Sequence, residues 1–231
     1  MKLSVKFAPI LLVAFAVMST HVTAFAQQEV SDAEKRVFMT DHLKNVPGDA
    51  TLSYGFSKSG SLEQNFQDKV TLTVKAPASG QGKSSHVDFL AGERQFKGIP
   101  ELIENATGNP IILAFLERDL GEMKRITKGQ PNYYRKRIRM NLAEKAEIRT
   151  INIKHEGKDI SGVELLLKPY DNDPARSRYE KYSNKSYVIT LSEQIPGGVY
   201  KMYSIMRERS ADAAANKPMI EETLTYTGIK K

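Results

Sequence analysis

The strongest chemical signal in the sequence is a basic segment that contains no acidic residue. Seven lysines and arginines lie between Lys124 and Arg139, with no Asp or Glu among them. Like charges at this density repel one another, which lowers stability unless an anion or a nearby acidic segment compensates them. Lysine and arginine side chains bind phosphate and carboxylate groups, and arginine does so through paired hydrogen bonds.

The basic segment therefore predicts a binding site for an anionic partner, such as an envelope lipid, a glycan or an acidic protein surface. The candidate residues are Lys124, Arg125, Lys128, Tyr133, Arg135, Lys136 and Arg139. A second interpretation stays open, in which the segment is a solvated helical face or its arginines are paired within the fold. The acids available for such pairing are Glu101, Glu104, Asp171 and Asp173.

Motifs for catalysis or metal binding are missing from the sequence. The histidines stand singly, and only His86 and Asp88 would share one face of a strand as a metal-binding or acid–base pair. Nucleophile elbows, phosphate loops, dinucleotide fingerprints and zinc-protease helices do not occur. The absence of cysteine excludes disulfides, thiol catalysis and cysteine-ligated metals. We therefore predict no catalytic residue, no metal and no cofactor.

Residues 1–26 have the features of a cleavable signal peptide. A positively charged start precedes the apolar run from Phe7 to Met18, and Ala24-Phe25-Ala26 matches the small-x-small cleavage pattern. No later apolar stretch approaches the roughly 20 residues of a membrane span. We expect export to the periplasm with cleavage after Ala26, no transmembrane segment in the mature chain, and no nucleic-acid partner.

Hydrophobic periodicity predicts strands in two blocks that are separated by helices. Alternating apolar residues indicate three strands in the first block and five in the second. Between the blocks, Asn109 as N-cap and Pro110 at the first helical position predict one helix, and a second begins near Asn132. A short helix is expected over Val30–Leu43, with Ser31 as its N-cap.

Strands and helices in separate runs favour an α+β fold. We expect an antiparallel sheet or a partly open barrel of about eight strands, with two central helices and a short N-terminal helix. The length suits one well-cored unit, so residues 27–231 are expected to form a single α+β domain. Two subdomains, 27–145 and 146–231, are the alternative.

The stretch from Gly162 to Met206 resembles part of a known family. A strand that ends in Lys168-Pro169 is followed by a polar loop and another strand, an order similar to that of the periplasmic lipoprotein carriers (LolA/LolB-like proteins). The resemblance implies an exported half-open antiparallel barrel, closed by helices, that holds acyl chains. It covers a small part of the chain and carries over no binding residue. The block from Gly108 to Leu142 resembles a second exported bacterial family, and that likeness implies no particular function.

Three functions follow from these observations. The preferred one is a non-enzymatic binding protein that engages an anionic or amphiphilic envelope component through the basic helix. The first alternative is a carrier of apolar ligands, with acyl chains enclosed by a concave sheet face. Residues expected on that face include Leu52, Tyr54, Phe56 and Val199. The second alternative is a hydrolase of an envelope polymer, whose site would assemble from residues scattered along the chain.

Overall fold

An antiparallel sheet of eight strands forms the centre of a computed structural model of the chain, which describes residues 29–77, 82–207 and 218–231. In chain order the strands are β1 (Ala50–Ser59), β2 (Phe66–Lys75), β3 (Ser84–Phe89), β4 (Glu147–His155), β5 (Lys158–Leu167), β6 (Lys185–Leu191), β7 (Val199–Arg207) and β8 (Pro218–Lys230). Across the sheet they lie in the order β3-β2-β1-β8-β7-β6-β5-β4. Because β8 pairs with both β1 and β7, the two predicted strand blocks share one sheet. The predicted α+β fold class is confirmed.

One face of the sheet is buried and the other is polar. Along β1, Leu52, Tyr54 and Phe56 are at most 2% exposed, whereas Ser53 and Gly55 between them are partly open to solvent. Successive side chains of a strand point to opposite faces, so this alternation decides which face packs inward. Apolar residues of the helices complete the same core.

The first long helix, α2 (Pro110–Thr127), has the predicted start. Asn109 Oδ1 accepts a hydrogen bond from the backbone N–H of Ile111 at 3.0 Å, and Pro110 suits the first turn because it has no N–H to satisfy. The helix ends where Lys128 takes a left-handed conformation, with φ of 59°. A cap at each end thus sets the length of α2.

The second long helix, α3 (Pro131–Glu144), follows after a short connection and packs beside α2. Tyr134, Ile138 and Leu142 recur at intervals of one helical turn and are at most 3% exposed. This apolar stripe faces the core, so the remaining positions of α3 point away from it.

The N-terminal helix is shorter than predicted. It consists of α1 (Asp32–Glu34) and a π-helical turn (Lys35–Met39), and we call these two pieces together the N-terminal helix. Its start has the expected capping box, since Ser31 Oγ accepts from the Glu34 N–H and Glu34 Oε2 accepts from the Ser31 N–H, both at 3.1 Å. The predicted extension to Leu43 is wrong, because the backbone of Thr40 is extended.

The predicted signal peptide, residues 1–26, lies outside the described residues. Among the helices of residues 29–77, 82–207 and 218–231, none combines the length and the hydropathy needed to cross a membrane.

Candidate functional site

An open groove separates the N-terminal helix from α2 and α3. Its volume of about 420 Å³ falls within the roughly 300–1,000 Å³ of pockets that hold small-molecule ligands. We call it the interhelix groove. Its lining residues all belong to the helices or to the segment leading into the first of them: Val30, Glu34, Phe38, Met39, Leu113, Leu116, Glu117, Leu120, Arg135, Ile138 and Arg139.

Exposed large hydrophobic side chains of the described residues are concentrated in the interhelix groove. Within the described ranges eight large hydrophobic side chains are exposed, and four of them line this groove. The four are Val30 (40% exposed), Phe38 (45%), Met39 (65%) and Leu113 (43%). Single exposed apolar residues are ordinary on protein surfaces, but a cluster of them in a concavity marks an interaction site.

The floor of the interhelix groove belongs to the hydrophobic core. Leu116, Leu120 and Ile138 line the groove, are at most 5% exposed and pack within the core cluster. Their positions are therefore fixed by the packing of α2 against α3. A preformed groove of this kind requires little ordering when a ligand enters it, which favours affinity.

The π-helical turn of the N-terminal helix keeps two large apolar side chains out of the core. Val37 is 2% exposed, whereas the next two residues, Phe38 and Met39, project into and beside the groove. All three lie in the segment Lys35–Met39. π-helical turns are rare and occur frequently at functional sites, so the local geometry agrees with a binding role for this turn.

One wall of the interhelix groove carries an ion pair between α2 and α3. Nε and Nη2 of Arg135 lie 2.7 and 2.6 Å from the two carboxylate oxygens of Glu117. These hydrogen bonds raise the pKa of Arg135 above its ordinary value. Because the carboxylate cancels its charge, Arg135 adds little net positive charge to the groove.

A second depression, which we call the polar groove, adjoins the interhelix groove. Its volume is about 390 Å³, and it shares Glu34, Arg135 and Arg139 with the interhelix groove. Lys136 and Glu144 line the polar groove and not the interhelix groove. An apolar concavity and a polar, charged concavity thus meet along one edge, which is the arrangement that an amphiphilic ligand requires.

Part of the predicted basic site is neutralised within the fold. Arg125, Arg135 and Tyr133 each bond to a carboxylate, and their respective partners are Glu122, Glu117 and Asp173. Arg137, from the same segment, lies 3.2 Å from Asp173, one of the acids expected to serve in internal pairing. These residues therefore follow the interpretation in which the basic side chains are paired within the fold.

The other predicted basic residues are exposed. Within the part of the chain that the structure describes, the side chains of Lys124, Lys128, Lys136 and Arg139 form no ion pair or hydrogen bond. Lys136 and Arg139 line the polar groove, whereas Lys124 and Lys128 line neither groove. The structure thus brings Arg135, Lys136 and Arg139 together on α3 and leaves the other candidates apart.

The apolar half of the site was missed by the sequence analysis. Leu113 follows Ile112, which is buried in the core, and stands at a position of α2 that the helical period assigns to solvent. An apolar side chain at such a position was the available signal. Phe38 and Met39 were hidden by the expected continuation of the N-terminal helix to Leu43.

A buried ion pair fixes α2 to the sheet on the side away from the interhelix groove. Asp119 of α2 pairs with Lys185 of β6 and accepts a hydrogen bond from Tyr187 at 2.6 Å, and all three residues are at most 2% exposed. Burial, together with the negative charge of Asp119, raises the pKa of Tyr187 well above its ordinary value. Because these groups are closed to solvent, they offer no access to a substrate.

A second set of buried charges joins α2 to β1 and β8. Arg118 Nη1 lies 2.8 Å from Glu222 Oε1, and Lys58 Nζ lies 3.0 Å from Glu122 and 3.5 Å from Glu222. Burial opposes the ionisation of Glu222, but the charges of Arg118, Lys185 and Lys58 hold its pKa below the ordinary value. An acyl chain inserted here would separate these ion pairs and leave buried charges without partners, which is unfavourable. This part of the covered sheet face is therefore a poor site for an acyl chain.

Two of the described histidines, His42 and His86, are held by hydrogen bonds within the fold. In buried His42, Nε2 lies 2.8 Å from the carbonyl oxygen of Arg36 and Nδ1 accepts the backbone N–H of Asn109 at 3.2 Å. Burial lowers the pKa of His42. His86 and Asp88 are hydrogen-bonded at 3.1 Å, as their shared strand face allows. Over the described ranges, no group of three or more His, Cys, Asp or Glu residues could hold a metal ion.

Another cavity, of about 400 Å³, lies beside His42, the middle of β5 and the end of β6. Several of its polar side chains are bonded to neighbouring groups. Lys44 pairs with Glu193 at 3.1 Å, and Ser192 Oγ donates to the carbonyl oxygen of Ser161 at 2.6 Å. The cavity has no cluster of exposed apolar residues, which makes it a weaker candidate than the interhelix groove.

No protein-family model and no curated protein sequence matches the chain. Among solved structures, it is similar to a LolA superfamily protein from Nitrosomonas europaea, at 10% identity over 86% of this chain and 92% of that one, with a TM-score of 0.24. It is also similar to the lipoprotein LppX of Mycobacterium tuberculosis, at 8% identity over 84% and 91%, with a TM-score of 0.32. These TM-scores are too low to support a conclusion about ligand or partner. The weak resemblance to lipoprotein carriers that the sequence predicts is thus found among solved structures as well.

Proposed function

We propose that the protein binds a phospholipid-like amphiphile, with its acyl chain in the interhelix groove and its phosphate in the polar groove beside Lys136 and Arg139. One observation carries this proposal: half of the exposed large hydrophobic side chains of the described residues line a single groove that adjoins two unpaired cations. Neither feature alone identifies a ligand. The apolar groove and the two cations adjoin along one edge, so together they can hold a molecule that has an apolar end and an anionic end.

The apolar part of the proposed interaction gains from the hydrophobic effect. Burial of an acyl chain is worth about 0.8 kcal/mol for each CH₂ group removed from water. Ordering and desolvation offset part of this gain. Because Leu116, Leu120 and Ile138 already hold the floor in place, the protein contributes little to the ordering cost.

The polar part of the proposed interaction depends on the free cations. Lys136 and Arg139 are exposed and have no acidic partner among the described residues, so a phosphate can bind without breaking an existing ion pair. Hydrogen bonds from charged donors to phosphate are among the stronger ones in proteins. The acids Glu34 and Glu144 also line the polar groove and would be close to a headgroup amine. The proposed ligand is therefore defined by its phosphate group. The identity of the rest of the headgroup is determined by the titrations below.

The alternative of acyl chains on the covered sheet face is less well supported by the packing. Leu52, Tyr54, Phe56 and Val199, which were expected to line such a site, are at most 2% exposed and belong to the core. A ligand at that position would have to part α2 from the sheet. Such a movement would also break the buried pair of Asp119 and Lys185, which is costly because it leaves unpaired buried charges.

The proposed compartment and domain organisation come from the sequence. We propose that residues 1–26 are a signal peptide that directs export to the periplasm. We also propose that residues 27–231 act as one domain. A role as a hydrolase is less well supported by the described residues, since the buried His42 and Asp119 are both engaged in internal bonds.

The test compares two charge-reversed variants of the chain that begins at Gln27. Lys136→Glu together with Arg139→Glu alters the polar groove, and Lys124→Glu together with Lys128→Glu makes the same change of charge outside both grooves. Calorimetry with lysophosphatidylglycerol should show at least tenfold weaker binding for the first variant, which corresponds to about 1.4 kcal/mol. The second variant should bind like the unaltered protein. An equal loss in both variants would show that only net charge matters and would contradict the proposed site.

Two further titrations separate the sources of binding. Lysophosphatidylethanolamine in place of lysophosphatidylglycerol shows whether a headgroup amine is accepted. Leu113→Trp places a larger side chain in the interhelix groove and should abolish binding of either ligand, whereas Leu102→Trp changes an exposed leucine outside it. If Leu113→Trp binds as well as Leu102→Trp, the acyl chain lies elsewhere and the covered sheet face becomes the better candidate.

A further inference from the structure

We infer that the rim of the interhelix groove docks on the surface of an anionic bilayer, with Phe38 and Met39 inserted among the lipid headgroups. These two residues are adjacent in the chain and are 45% and 65% exposed, the highest values among the apolar residues of the groove. The inference builds on the proposed function, because a lipid ligand would enter the groove from such a bilayer. Docking itself does not require an occupied groove.

Free cations flank the two inserted side chains. Lys35 lies in the same π-helical turn, and Lys136 and Arg139 lie on α3 at the polar groove. Over the described ranges, none of these three side chains has an acidic partner. Basic residues beside inserted apolar side chains are attracted by the negative surface potential of an anionic membrane.

The acids near the rim only partly offset these cations. Glu117 is neutralised by Arg135, and Asp32 pairs with Arg36 at 2.9 Å. Glu34, which caps the N-terminal helix, and Glu144 remain at the polar groove without a cationic partner in the described residues. The rim therefore has a small positive excess. The whole chain has a net charge of +7, of which Lys2 and Lys6 of the predicted signal peptide supply two, and the remaining excess acts in the same direction.

The shape of the rim favours a bilayer over an acidic protein. Stable protein interfaces bury about 1,200–2,000 Å² between complementary, well-packed surfaces. Here the side chains of Phe38 and Met39 protrude from one turn beside the interhelix groove. Among the described residues, no broad flat apolar face surrounds them. The headgroup layer of a bilayer is fluid and adapts to such a protrusion, and interfacial helices bury their apolar face by roughly 5–10 Å.

The chain contains no tryptophan, so the fluorescence of one introduced tryptophan reports on docking without a contribution from native tryptophans. Met39→Trp places the reporter at the inserted position, and Leu102→Trp places it at an exposed leucine outside the groove. Vesicles of phosphatidylcholine that contain phosphatidylglycerol should shift the emission of Met39→Trp to shorter wavelength, and bromine-labelled lipid should quench it. Vesicles of phosphatidylcholine alone should have at most a small effect, and Leu102→Trp should respond to neither.

Flotation of the chain from Gln27 with the same vesicles supplies the second measurement. Phe38→Ser together with Met39→Ser should reduce the bound fraction at least tenfold, whereas Leu62→Ser together with Leu102→Ser removes two exposed leucines elsewhere and should leave it unchanged. Absence of vesicle binding, an equal response of the two tryptophan reporters, or capture of an acidic protein without vesicle binding overturns the inference. If lysolipid binding persists while vesicles are ignored, docking fails and the proposed function stands. If vesicles bind and lysolipid does not, docking stands and the proposed function fails.

Discussion

Arg135 and Glu117 form a two-pronged ion pair across the wall of the interhelix groove, with nitrogen–oxygen distances of 2.7 and 2.6 Å. The pair joins α3 to α2 and cancels the charge at the centre of the predicted basic site. It divides the surface of α3 into a neutral apolar part and a part where Lys136 and Arg139 are free. The positive charge available to a ligand is therefore local and smaller than the sequence alone indicates.

The first prediction concerns this ion pair. Glu117→Gln leaves Arg135 positive and uncompensated beside Arg139, so binding of lysophosphatidylglycerol should tighten. Because the pair is partly exposed, we expect a gain of about 0.5–1 kcal/mol, or about two- to fivefold in Kd. Calorimetry measures the change, and Glu164→Gln, which breaks the pair with Arg149 on β4 and β5, is the matched control. Unchanged or weaker binding by Glu117→Gln would place the phosphate away from Arg135.

The second prediction concerns the buried pair that holds α2 on the sheet. Lys185→Met leaves the carboxylate of Asp119 buried without its cation, which should lower the free energy of unfolding by about 3–5 kcal/mol. Replacing both partners, Asp119→Leu with Lys185→Met, should recover much of that loss because position 119 then no longer carries an unpaired buried carboxylate. Urea denaturation followed by circular dichroism measures all three proteins.

Lys44→Met is the control for the buried pair. Lys44 pairs with Glu193 at the surface, and the two side chains are 52% and 79% exposed, so its removal should change the unfolding free energy by at most about 0.5 kcal/mol. A loss for Lys185→Met no larger than that of Lys44→Met would mean that Asp119 is solvated or protonated in the fold.

The third prediction is a pH dependence that originates in His42. Its pKa is lowered from 6.5 by burial, so below pH 6.5 the unfolded chain takes up a proton more readily than the folded one. The contribution of His42 to stability is therefore complete above pH 6.5, and decreases as the pH falls from 6.5 to the folded pKa. His42→Gln should show a shallower fall of the unfolding free energy over this interval.

His86 provides an internal comparison of opposite sign. Its hydrogen bond to the carbonyl oxygen of Glu101, followed by its contact with Asp88, raises its pKa above 6.5. Its contribution is thus complete below pH 6.5 and is lost as the pH rises through the folded pKa. Nuclear magnetic resonance titration of the imidazole protons should therefore place His42 below His86. The reverse order would mean that His42 is open to solvent.

Much of the architecture could be predicted from local patterns. The cap at Asn109 and the strand alternation around Leu52 depend on neighbours in sequence, and both agree with the structure. The N-terminal helix could not be placed as well, because its end depends on the π-helical turn and the extended backbone of Thr40. The chain beyond the helix is held by a hydrogen bond from the Leu43 N–H to the carbonyl oxygen of Thr107, a distant contact that no local pattern contains.

The charged core could have been found from strand alternation. Lys58 continues the buried phase of Leu52, Tyr54 and Phe56 on β1, and Glu222 precedes Leu224 in the same phase of β8. Charged residues at buried positions predict internal partners. The identity of those partners was beyond reach, since an ion pair such as that of Glu222 with Arg118 joins residues far apart in the chain.

Photo-crosslinking tests the central claim most directly, because it reports where the acyl chain lies. A lysophosphatidylglycerol that carries a photoreactive group within its acyl chain is bound to the chain from Gln27 and irradiated, and the labelled peptides are identified by mass spectrometry. The account predicts labels at Phe38, Met39 and Leu113, and their loss in Leu113→Trp. Labels on the covered sheet face, at residues such as Leu52 or Val199, or no specific label at all, would contradict it.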